Sequence, residues 1–354
     1  MDLDKLQKLY FDFYYWGKKK ILSKYNRKVT GRYTNNHSIL TAEEAKQIKE
    51  FWAPYAKVDL IFHAFYKEKC GLVDPRCLPT DLYVNEIDEH FNDLKASHIL
   101  DNKCLYPRLF PDIPQPEMVV YRMSDYWYNG QGQRVSWQEA QELLDKEPAI
   151  FAKIAAGSCS GKGVFYISNE NGSVAEQFKQ QIKFENDIVV QRPVVQHPVF
   201  ATMNGSSVNT LRILSVLTEE GVKVYSALVR IGVDNRKVDN RGLSCGVQSD
   251  GKLNAKAYRL NGECFTKHPN HDFTFEGYQL VGFDKAKALI EKAHPMVPCF
   301  RMISWDIAIN EQGEPVMLEA NFARGCLDFH QLNNGPLFGE DTKKILDEVF
   351  GKSK

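Results

Sequence analysis

The sequence predicts an α+β fold in which a mainly helical N-terminal region precedes two lobes that each combine strands and helices. Up to about residue 145 the recognisable elements are helices, marked by apolar periodicity and capping residues. From Ile150 onward, short β-branched strands alternate with helices without a regular βαβ repeat. We see no internal repeat or low-complexity linker, so we expect residues 1–79, 80–200 and 201–354 to share one body.

Capping residues and periodicity place the predicted helices. Thr41, followed three residues later by Glu44, forms a capping box at the start of one helix, and Ser136 caps another. The predicted helices cover Leu3 to Lys28, Thr41 to Phe51, Ile87 to Leu94, Trp137 to Asp145, Asp284 to His294 and Asp341 to Phe350.

The first of these helices combines large aromatic residues with a basic run that extends to Lys28. One interpretation is a peripheral membrane anchor, in which residues 3–28 lay their rings among lipid headgroups while the lysines meet anionic phosphates. The other is a helix docked on the catalytic body. The sequence favours docking, because the aromatic residues nearly encircle the helix, whereas an anchor should confine them to one side.

Short runs rich in β-branched residues predict the strands. They cover Ile150 to Ala155, Gly163 to Ile167, Ile188 to Val190, Asn209 to Leu217, Lys223 to Ile231, and a hairpin formed by Ile303 to Ile309 and Val316 to Asn321.

Composition and charge exclude several classes of protein. The 354 residues are 43% hydrophobic and 12% aromatic, which is typical of a folded chain with substantial cores. Forty-five basic and 45 acidic residues give no net charge, which argues against a general nucleic-acid binder. No apolar run is long enough for a membrane span and no signal pattern is present, so we expect a cytoplasmic location. The eight scattered cysteines are expected to be reduced and mostly buried.

The hairpin near the C-terminus carries the strongest functional signal. Alternation along its strands predicts that Asp306, Glu319 and Asn321 share one face, and that Asp306 lies opposite Glu319. The other face is predicted to hold Trp305, Ile307, Val316 and Leu318. Like charges placed opposite each other destabilise a sheet unless a cation lies between them. Two carboxylates and an amide oxygen are hard ligands that suit Mg²⁺, although an ordinary solvated acidic face is the alternative.

A Gly- and Ser-rich stretch predicts a phosphate-binding lid between two strands. Small residues let backbone N–H groups approach an oligophosphate, and Lys153 on the preceding strand can add a fixed positive charge. The lid residues are Ser158, Ser160, Gly161 and Gly163. The stretch is not a Walker A loop, since a strand follows it where a helix is required. A mobile hairpin loop without a ligand is the alternative.

Two further segments can contribute to the same site. The strand ending at Gln191 runs into a Pro-containing segment, whose polar groups suit the hydrogen-bonding rim of a purine. Lys103 can reach the same phosphates. Arg212 and Arg230 alternate with apolar neighbours on predicted strands, so each can project into a cleft and meet a carboxylate or a transferred phosphoryl group. Arg324 can serve the acceptor side, and a salt bridge between strands is the alternative for each arginine.

The order of Lys103, Lys153 with its lid, Gln191, Asp306, Glu319 and Asn321 resembles that of the ATP-grasp superfamily. The segments 208–213, 229–234, 238–240 and 304–308 look most like its sugar-transfer-associated branch, found in bacterial polysaccharide and capsule gene clusters. The resemblance covers about residues 80 to 340.

This resemblance implies an ATP-grasp fold, in which two α+β lobes hold Mg-ATP between them. It implies that Lys103 and Lys153 hold the α- and β-phosphates, that Gln191 and the backbone near Val194 meet adenine, and that Gln196 or His197 lies near the ribose. Glutamate is common at the adenine position, so Gln191 is a departure. The three hairpin ligands, Asp306, Glu319 and Asn321, would hold Mg²⁺.

The resemblance also implies an ATP-dependent carboxylate–amine ligase that acts through an acylphosphate and releases ADP and phosphate. The expected partners are a small or glycan-linked carboxylate and an amine, without nucleic acid. Two alternatives stay open: a kinase of a sugar or alcohol acceptor, and a non-catalytic nucleotide-binding component of a polysaccharide assembly complex. The sequence does not identify the acceptor, the amine or the oligomeric state.

Overall fold

A computed structural model describes residues 3–157, 163–238 and 242–351, without the side chains of residues 3–12, 14 and 15. Within these residues the helices are α1 Leu3–Tyr33, α2 Ala42–Trp52, α3 Ile61–Cys70, α4 Thr80–Leu82, α5 Asp88–Phe91, α6 Leu94–Leu100, α7 Tyr106–Leu109, α8 Trp137–Leu144, α9 Val174–Gln181, α10 Pro198–Met203, α11 Phe283–Ala293, α12 Leu327–Asn334 and α13 Thr342–Val349. A π-helical turn, Tyr83–Ile87, joins α4 to α5, and a 3₁₀ turn, Lys103–Leu105, precedes α7.

The strands build two mainly antiparallel sheets. They are β1 Met118–Met123, β2 Tyr126–Asn129, β3 Arg134–Val135, β4 Ala149–Ile154, β5 Val164–Ser168, β6 Ile188–Gln191, β7 Thr210–Thr218, β8 Gly221–Ile231, β9 Leu243–Val247, β10 Leu253–Tyr258, β11 Cys264–Phe265, β12 Met302–Ile309 and β13 Pro315–Asn321. The six-stranded small sheet has the order β3-β2-β1-β6-β4-β5, and the seven-stranded large sheet has the order β11-β10-β9-β8-β7-β12-β13.

The chain divides into two compact units. The first contains residues 1–91, 260–264 and 326–354, and the second contains residues 92–259 and 265–325. The first unit is mainly helical, and the second contains nearly all of both sheets. The domain boundaries predicted at residues 79 and 200 differ from this division and stay a prediction.

The predicted helix caps are confirmed. Thr41 accepts a hydrogen bond from the Glu44 backbone N–H while the Glu44 side chain accepts one from the Thr41 N–H, and Ser136 forms the same capping box with Glu139. The helix predicted from Ile87 to Leu94 is wrong in detail. The π-helical turn ends at Ile87, α5 ends at Phe91, and α6 begins a new helix at Leu94.

Within the first unit, α1 packs along one side against neighbouring elements. Lys19 forms ion pairs with Glu86 at 3.0 Å and Glu89 at 3.3 Å, and Asn85 donates a hydrogen bond to the Ser23 hydroxyl at 2.9 Å. These contacts dock the helix within its own unit, and docking on the catalytic body stays a prediction. None of the helices in the described ranges combines the length and apolarity needed to cross a bilayer.

The small sheet has one apolar face and one face with polar groups. Ile150 and Ala152 of β4 and Val190 of β6 pack with α8 and α9 in a buried cluster. Alternation turns Lys153 and Gln191 to the opposite face, since successive side chains of a strand point to opposite sides.

The large sheet is organised in the same way. Its apolar face packs on α11 through residues that include Leu211, Ile213, Trp305 and Ile307. Arg212, Arg230, Asp306, Glu319 and Asn321 occupy alternate positions and face the other way. The polar faces of both sheets supply the groups of the candidate site.

The predicted register of the hairpin is correct near the carboxylates but wrong nearer the turn. Ile307 lies opposite Met317, and the register shifts between Asp306 and Ile307. Met317, instead of Val316 and Leu318, therefore shares the buried face with Ile307. One extra residue on β13 forms a bulge that the simple alternation did not include.

The described cysteines are all free, so the prediction of reduced thiols is consistent with the structure. The expectation that they are mostly buried is wrong for Cys264, Cys299 and Cys326, which are exposed. Cys159 lies outside the described residues.

Candidate active site

The hairpin of β12 and β13 brings the three predicted metal ligands together. Asp306 lies directly opposite Glu319, and Ser304 lies opposite Asn321, as the sequence predicted for the two carboxylates. The Asn321 amide nitrogen donates to the Ser304 carbonyl at 2.9 Å and lies 3.5 Å from an Asp306 oxygen. Two carboxylates and one amide therefore form one polar face.

Two protein cations contact the carboxylates of this face. Arg212, the cross-strand neighbour of Asp306 on β7, holds both carboxylate oxygens, at 2.8 Å and 2.6 Å. Both side chains are nearly buried, with 11% and 12% exposure. Burial alone would raise the pKa of Asp306, but the Arg212 guanidinium, with Arg230 nearby, holds it below its ordinary value.

Glu319 has a different cationic partner. The Lys103 ammonium lies 2.8 Å from a Glu319 oxygen, and the lysine side chain is only 8% exposed. Glu319 itself is 29% exposed. In the described residues no three His, Cys, Asp or Glu side chains group closely enough to hold a metal ion by themselves. A metal site at this face would need the Asn321 oxygen and a ligand from the nucleotide.

Several hydrogen bonds fix the loop that presents Lys103. The Lys103 backbone N–H donates to the Ala155 carbonyl at 2.9 Å, which ties the loop to the end of β4. The Asn102 side chain accepts from the Cys104 N–H and donates to Asp187 at 2.8 Å. The backbone geometry of this loop therefore positions Lys103. No helix or strand pattern in the sequence predicts that geometry.

Lys153 and Gln191 meet on the polar face of the small sheet. The Lys153 ammonium donates to the Gln191 side-chain oxygen at 3.1 Å. Burial lowers the pKa of Lys153 to about 8, and the positive charge of Lys103 acts in the same direction, whereas Glu319 and Asp306 oppose the shift. Two lysines and two carboxylates therefore lie within electrostatic reach of one another.

The segment after β6 differs in part from the predicted purine and ribose rim. Gln196 uses its amide on the backbone of Asn204 and Ser207 and accepts from Asn209, so it holds a turn together. His197 is the N-cap of α10, and its Nδ1 accepts from the Val199 N–H at 3.2 Å. His197 therefore has a structural role as a helix cap, and its predicted place near the ribose stays a prediction.

Val194 is better placed than its neighbours for a nucleotide contact. It is half-buried, and its backbone forms no hydrogen bond within the described part of the chain. Its N–H and C=O therefore stay available, and the predicted adenine contact at Val194 stays a prediction.

The lid can be followed only at its C-terminal edge, because Ser158, Ser160 and Gly161 lie outside the described residues. Gly163 has a φ of 72°, and a Cβ there would lie 2.5 Å from the Ile154 side chain. Its carbonyl accepts from the Ile154 N–H at 3.0 Å. Only glycine fits this close crossing of β4 and β5, so Gly163 has a structural requirement in addition to its predicted role in the lid.

The two remaining predicted arginines belong to the large sheet and its continuation, with Arg230 on β8 and Arg324 three residues after β13. Arg230 lies close enough to Asp306 to lower the pKa of that carboxylate. Arg324 is exposed and has a φ of 54°, in a segment where Cys326 also has a positive φ. Backbone in this conformation is uncommon for residues other than glycine and concentrates at functional sites.

Sequence reasoning missed two residues of the site. Burial raises the pKa of Asp101 to about 6, and the charge of Glu319 adds to that shift while Lys103 opposes it. Buried Tyr106 donates its hydroxyl to the Ala320 carbonyl at 3.1 Å, which anchors β13 beside Glu319. The proximity of Asp101 to Lys103 in sequence was the only available signal.

A family model described as "Sugar-transfer associated ATP-grasp" matches residues 84–346. The chain belongs to the sugar-transfer-associated ATP-grasp family. The predicted resemblance is therefore confirmed, as is the α+β ATP-grasp fold with a helical region before residue 80. Membership of this family supports an ATP-dependent ligase.

Solved ATP-grasp structures resemble the chain at low sequence identity. D-alanyl-alanine synthetase A from Vibrio cholerae is 14% identical with a TM-score of 0.40, and the match covers 78% of this chain and 67% of the synthetase. D-alanine–D-alanine ligase from Bacillus anthracis is 12% identical with a TM-score of 0.42, at 74% and 69% coverage. The ATP-grasp ligase PsnB is 14% identical with a TM-score of 0.41, and the match covers 75% of this chain and 63% of PsnB. No curated protein matches the chain.

Proposed function

We propose that this family member is an ATP-dependent carboxylate–amine ligase that forms a C–N bond through an acylphosphate and releases ADP and phosphate. The observation that carries the proposal is the convergence of Lys103, Lys153, Arg212 and Arg230 on the face that holds Asp306 and Glu319. Four cations suit an oligophosphate, and the carboxylates with Asn321 suit a divalent cation.

The two ion pairs give the site a specific way to accept Mg-ATP. When phosphate oxygens engage Lys103 and Arg212, Glu319 and Asp306 lose their present counter-charges. A nearly buried Asp306 and a partly exposed Glu319 without counter-charges are costly, and a divalent cation offsets that cost. The donor set therefore fits Mg²⁺ together with a phosphate chain better than it fits either alone.

Each residue then has a distinct role. Lys103 and Lys153 hold phosphate oxygens, and Asp306, Glu319 and Asn321 hold the metal. Arg212, Arg230 and Arg324 orient the acceptor carboxylate and neutralise charge on the transferred group. Bound Mg²⁺ would supply charge neutralisation between phosphate oxygens during the transfer. The lid, Ser158, Ser160, Gly161 and Gly163, excludes water that would hydrolyse the activated acyl group.

Gln191 and the Val194 backbone are proposed to meet adenine. In the structure the Gln191 side-chain oxygen accepts a hydrogen bond from Lys153, and this contact fixes the orientation of the amide group. A lysine that turns to phosphate frees the Gln191 oxygen for the exocyclic amine of adenine. His197 is retained near the nucleotide only as the cap that fixes the start of α10.

We further propose that the carboxylate belongs to a cell-surface polysaccharide, such as a capsule, or to its precursor, and that the protein is cytoplasmic. The description of the family as associated with sugar transfer supports a sugar-linked substrate. A kinase that phosphorylates a sugar or alcohol is the second candidate, because the same four cations would also hold the phosphates for transfer to a hydroxyl acceptor. A non-catalytic nucleotide-binding component is disfavoured, since all three proposed metal ligands are present.

The test uses purified protein, ATP, Mg²⁺ and pools of sugar acids and amino acids, with mass spectrometry of the products. Ligation predicts ADP formation that requires both an acid and an amine, and an acid labelled with ¹⁸O should transfer one label to the released phosphate. Formation of AMP, or a stable phosphoester without an amine, would overturn the ligase proposal. Glu319→Gln supplies the inactive control.

A further inference from the structure

The outward face of α1 concentrates basic and aromatic side chains. We define this face by the exposed residues Phe13, Trp16, Lys20, Ile21, Lys24, Tyr25, Lys28 and Arg32. At about 100° per residue they fall within roughly half of the helix circumference. No acidic residue occurs between Phe13 and Ala42, although the whole chain has 45 acidic and 45 basic residues. The face is a local departure from a neutral molecule.

The opposite side of the helix is held in place. Lys19 is paired with Glu86 and Glu89, and Ser23 accepts from Asn85, all within the first unit. These contacts determine which residues stay exposed, so the outward face has a fixed composition.

The apolar side chains of the face are unusually open to solvent. Phe13 and Ile21 are each 71% exposed, Tyr25 is 62% exposed and Trp16 is 56% exposed. Exposed large apolar residues grouped on one surface mark an interaction site, whereas scattered ones need no explanation. Lys20 lies 4.6 Å from the centre of the Trp16 ring, so cation and ring occupy one surface.

We propose that the outward face of α1 binds the surface of an anionic lipid bilayer. Lys24, Lys28 and Arg32 form no ion pair within the described residues, so their charges are available to lipid phosphates. Tryptophan and tyrosine favour the boundary between headgroups and acyl chains, and basic residues beside them add attraction to anionic lipids. Because no described helix is suited to span a bilayer, the contact is peripheral.

Charge selects the lipid surface over a second copy of this chain. A symmetric dimer through this face would place two basic surfaces against each other, and like charges repel. A single-stranded nucleic acid would need a groove with stacking rings, whereas this face is one convex helix that exposes Ile21. The proposal does not depend on the ligase activity, and its failure would leave that activity untouched.

The test is co-sedimentation of the full-length protein with phosphatidylglycerol-containing vesicles and with pure phosphatidylcholine vesicles. We expect binding to the anionic vesicles, with a loss of about a hundred-fold or more in affinity for the combined Lys20→Glu, Lys24→Glu and Lys28→Glu variant. Raising salt from about 0.1 M to about 1 M should weaken binding, because the screening length falls from roughly 10 Å to roughly 3 Å.

A second variant, Phe13→Gln with Trp16→Gln, separates ring insertion from charge, and it should also bind less tightly. The matched control reverses three exposed lysines elsewhere, Lys179, Lys343 and Lys344, and should bind vesicles as the natural protein does. Circular dichroism melts establish that each variant is folded. Absence of vesicle binding by the natural protein, or equal binding by the triple Lys→Glu variant and the control, would overturn the proposal. Binding to an acidic polypeptide but not to vesicles would also overturn it.

Discussion

Two regions of this protein concentrate positive charge, and they do so in opposite ways. In the candidate active site, Arg212 and Lys103 are nearly buried and each holds a carboxylate within 2.8 Å. On the outward face of α1, Lys24 and Lys28 are exposed and have no acidic partner within the described residues. Buried pairs are screened little by salt, and exposed charges are screened strongly.

The difference indicates what each region can bind. An anion that enters the active site must displace a carboxylate from its cation, so the displaced carboxylate needs a new cation. That exchange favours a phosphate chain accompanied by a divalent metal ion. The helix face requires no exchange and attracts any extended anionic surface. The predictions below test this contrast, in order of decreasing expected effect.

The largest effect is expected for Glu319→Gln. This change keeps the side-chain shape but removes the charge that a metal ion would need. Turnover should fall by about a thousand-fold or more, because metal-ion catalysis supplies several kcal/mol of transition-state stabilisation. Steady-state ADP release is the measurement, and a circular dichroism melt is the control for folding. Activity within a factor of a few of the natural protein would remove Glu319 from the metal site.

Breaking the pair between Arg212 and Asp306 should destabilise the fold. Asp306→Ala leaves a nearly buried guanidinium without its counter-charge, which typically costs about 3–5 kcal/mol. Denaturant unfolding measures the change, and Lys252, which pairs with Asp250 at the surface, supplies the matched comparison. An Asp250→Ala variant should lose far less stability, since exposed pairs contribute about 0–1 kcal/mol. Equal losses in both variants would contradict the structural importance of the buried pair.

The nucleotide affinity should depend on pH through Lys153. Its folded-state pKa is near 8, so the ammonium loses its proton as pH rises through that value and ATP should bind about ten-fold more weakly at pH 9 than at pH 7. Titration calorimetry checks this, with Lys153→Arg as the control, because arginine stays charged over the range. A Lys153→Arg variant with the same pH dependence would assign the titration to another group.

The same pKa shift gives the opposite sign for stability. The pKa of Lys153 is lowered from its ordinary value of 10.5 to about 8, so the unfolded chain binds more protons between these values. Stability contributed by this group therefore rises as pH increases from about 8 to about 10.5. Denaturant midpoints measured in the absence of nucleotide should rise across this window relative to those of Lys153→Met.

The smallest effect is expected on the outward face of α1. Changing Lys24 and Lys28 to glutamine removes exposed charges without breaking a contact, so the free energy of unfolding should change by no more than about 0.5 kcal/mol. Affinity for ATP should not change. A large loss of stability would show that these lysines hold the fold, and would weaken the contrast with the active site.

The sequence predicted the parts of the site that follow from periodicity. Alternation placed Asp306 opposite Glu319 and turned Arg212 toward the cleft, because strand geometry has a period of two. It failed at the bulge that moved Met317 onto the apolar face, since a single added residue leaves no clear pattern.

The sequence also did not predict the long-range ion pairs. Lys103 reaches Glu319 across more than 200 positions of sequence, and its position depends on backbone contacts with Ala155. The pattern of like charges predicted a cation between Asp306 and Glu319, but it did not predict the ion pairs that these carboxylates form with Arg212 and Lys103. The family resemblance placed Gln196 or His197 near the ribose. Their hydrogen-bond partners in the adjacent turn were not predicted, because these partners lie at positions that no periodicity connects.

The most direct measurement of the central claim is the effect of Mg²⁺ on the affinity for a non-hydrolysable ATP analogue. Titration calorimetry of the natural protein, with Mg²⁺ and with a chelator, should show at least about ten-fold tighter binding in the presence of the metal. Mg²⁺ added without nucleotide should bind weakly, since both carboxylates are occupied by Lys103 and Arg212. The metal effect should disappear in Glu319→Gln. A metal effect of the same size in that variant would contradict the account.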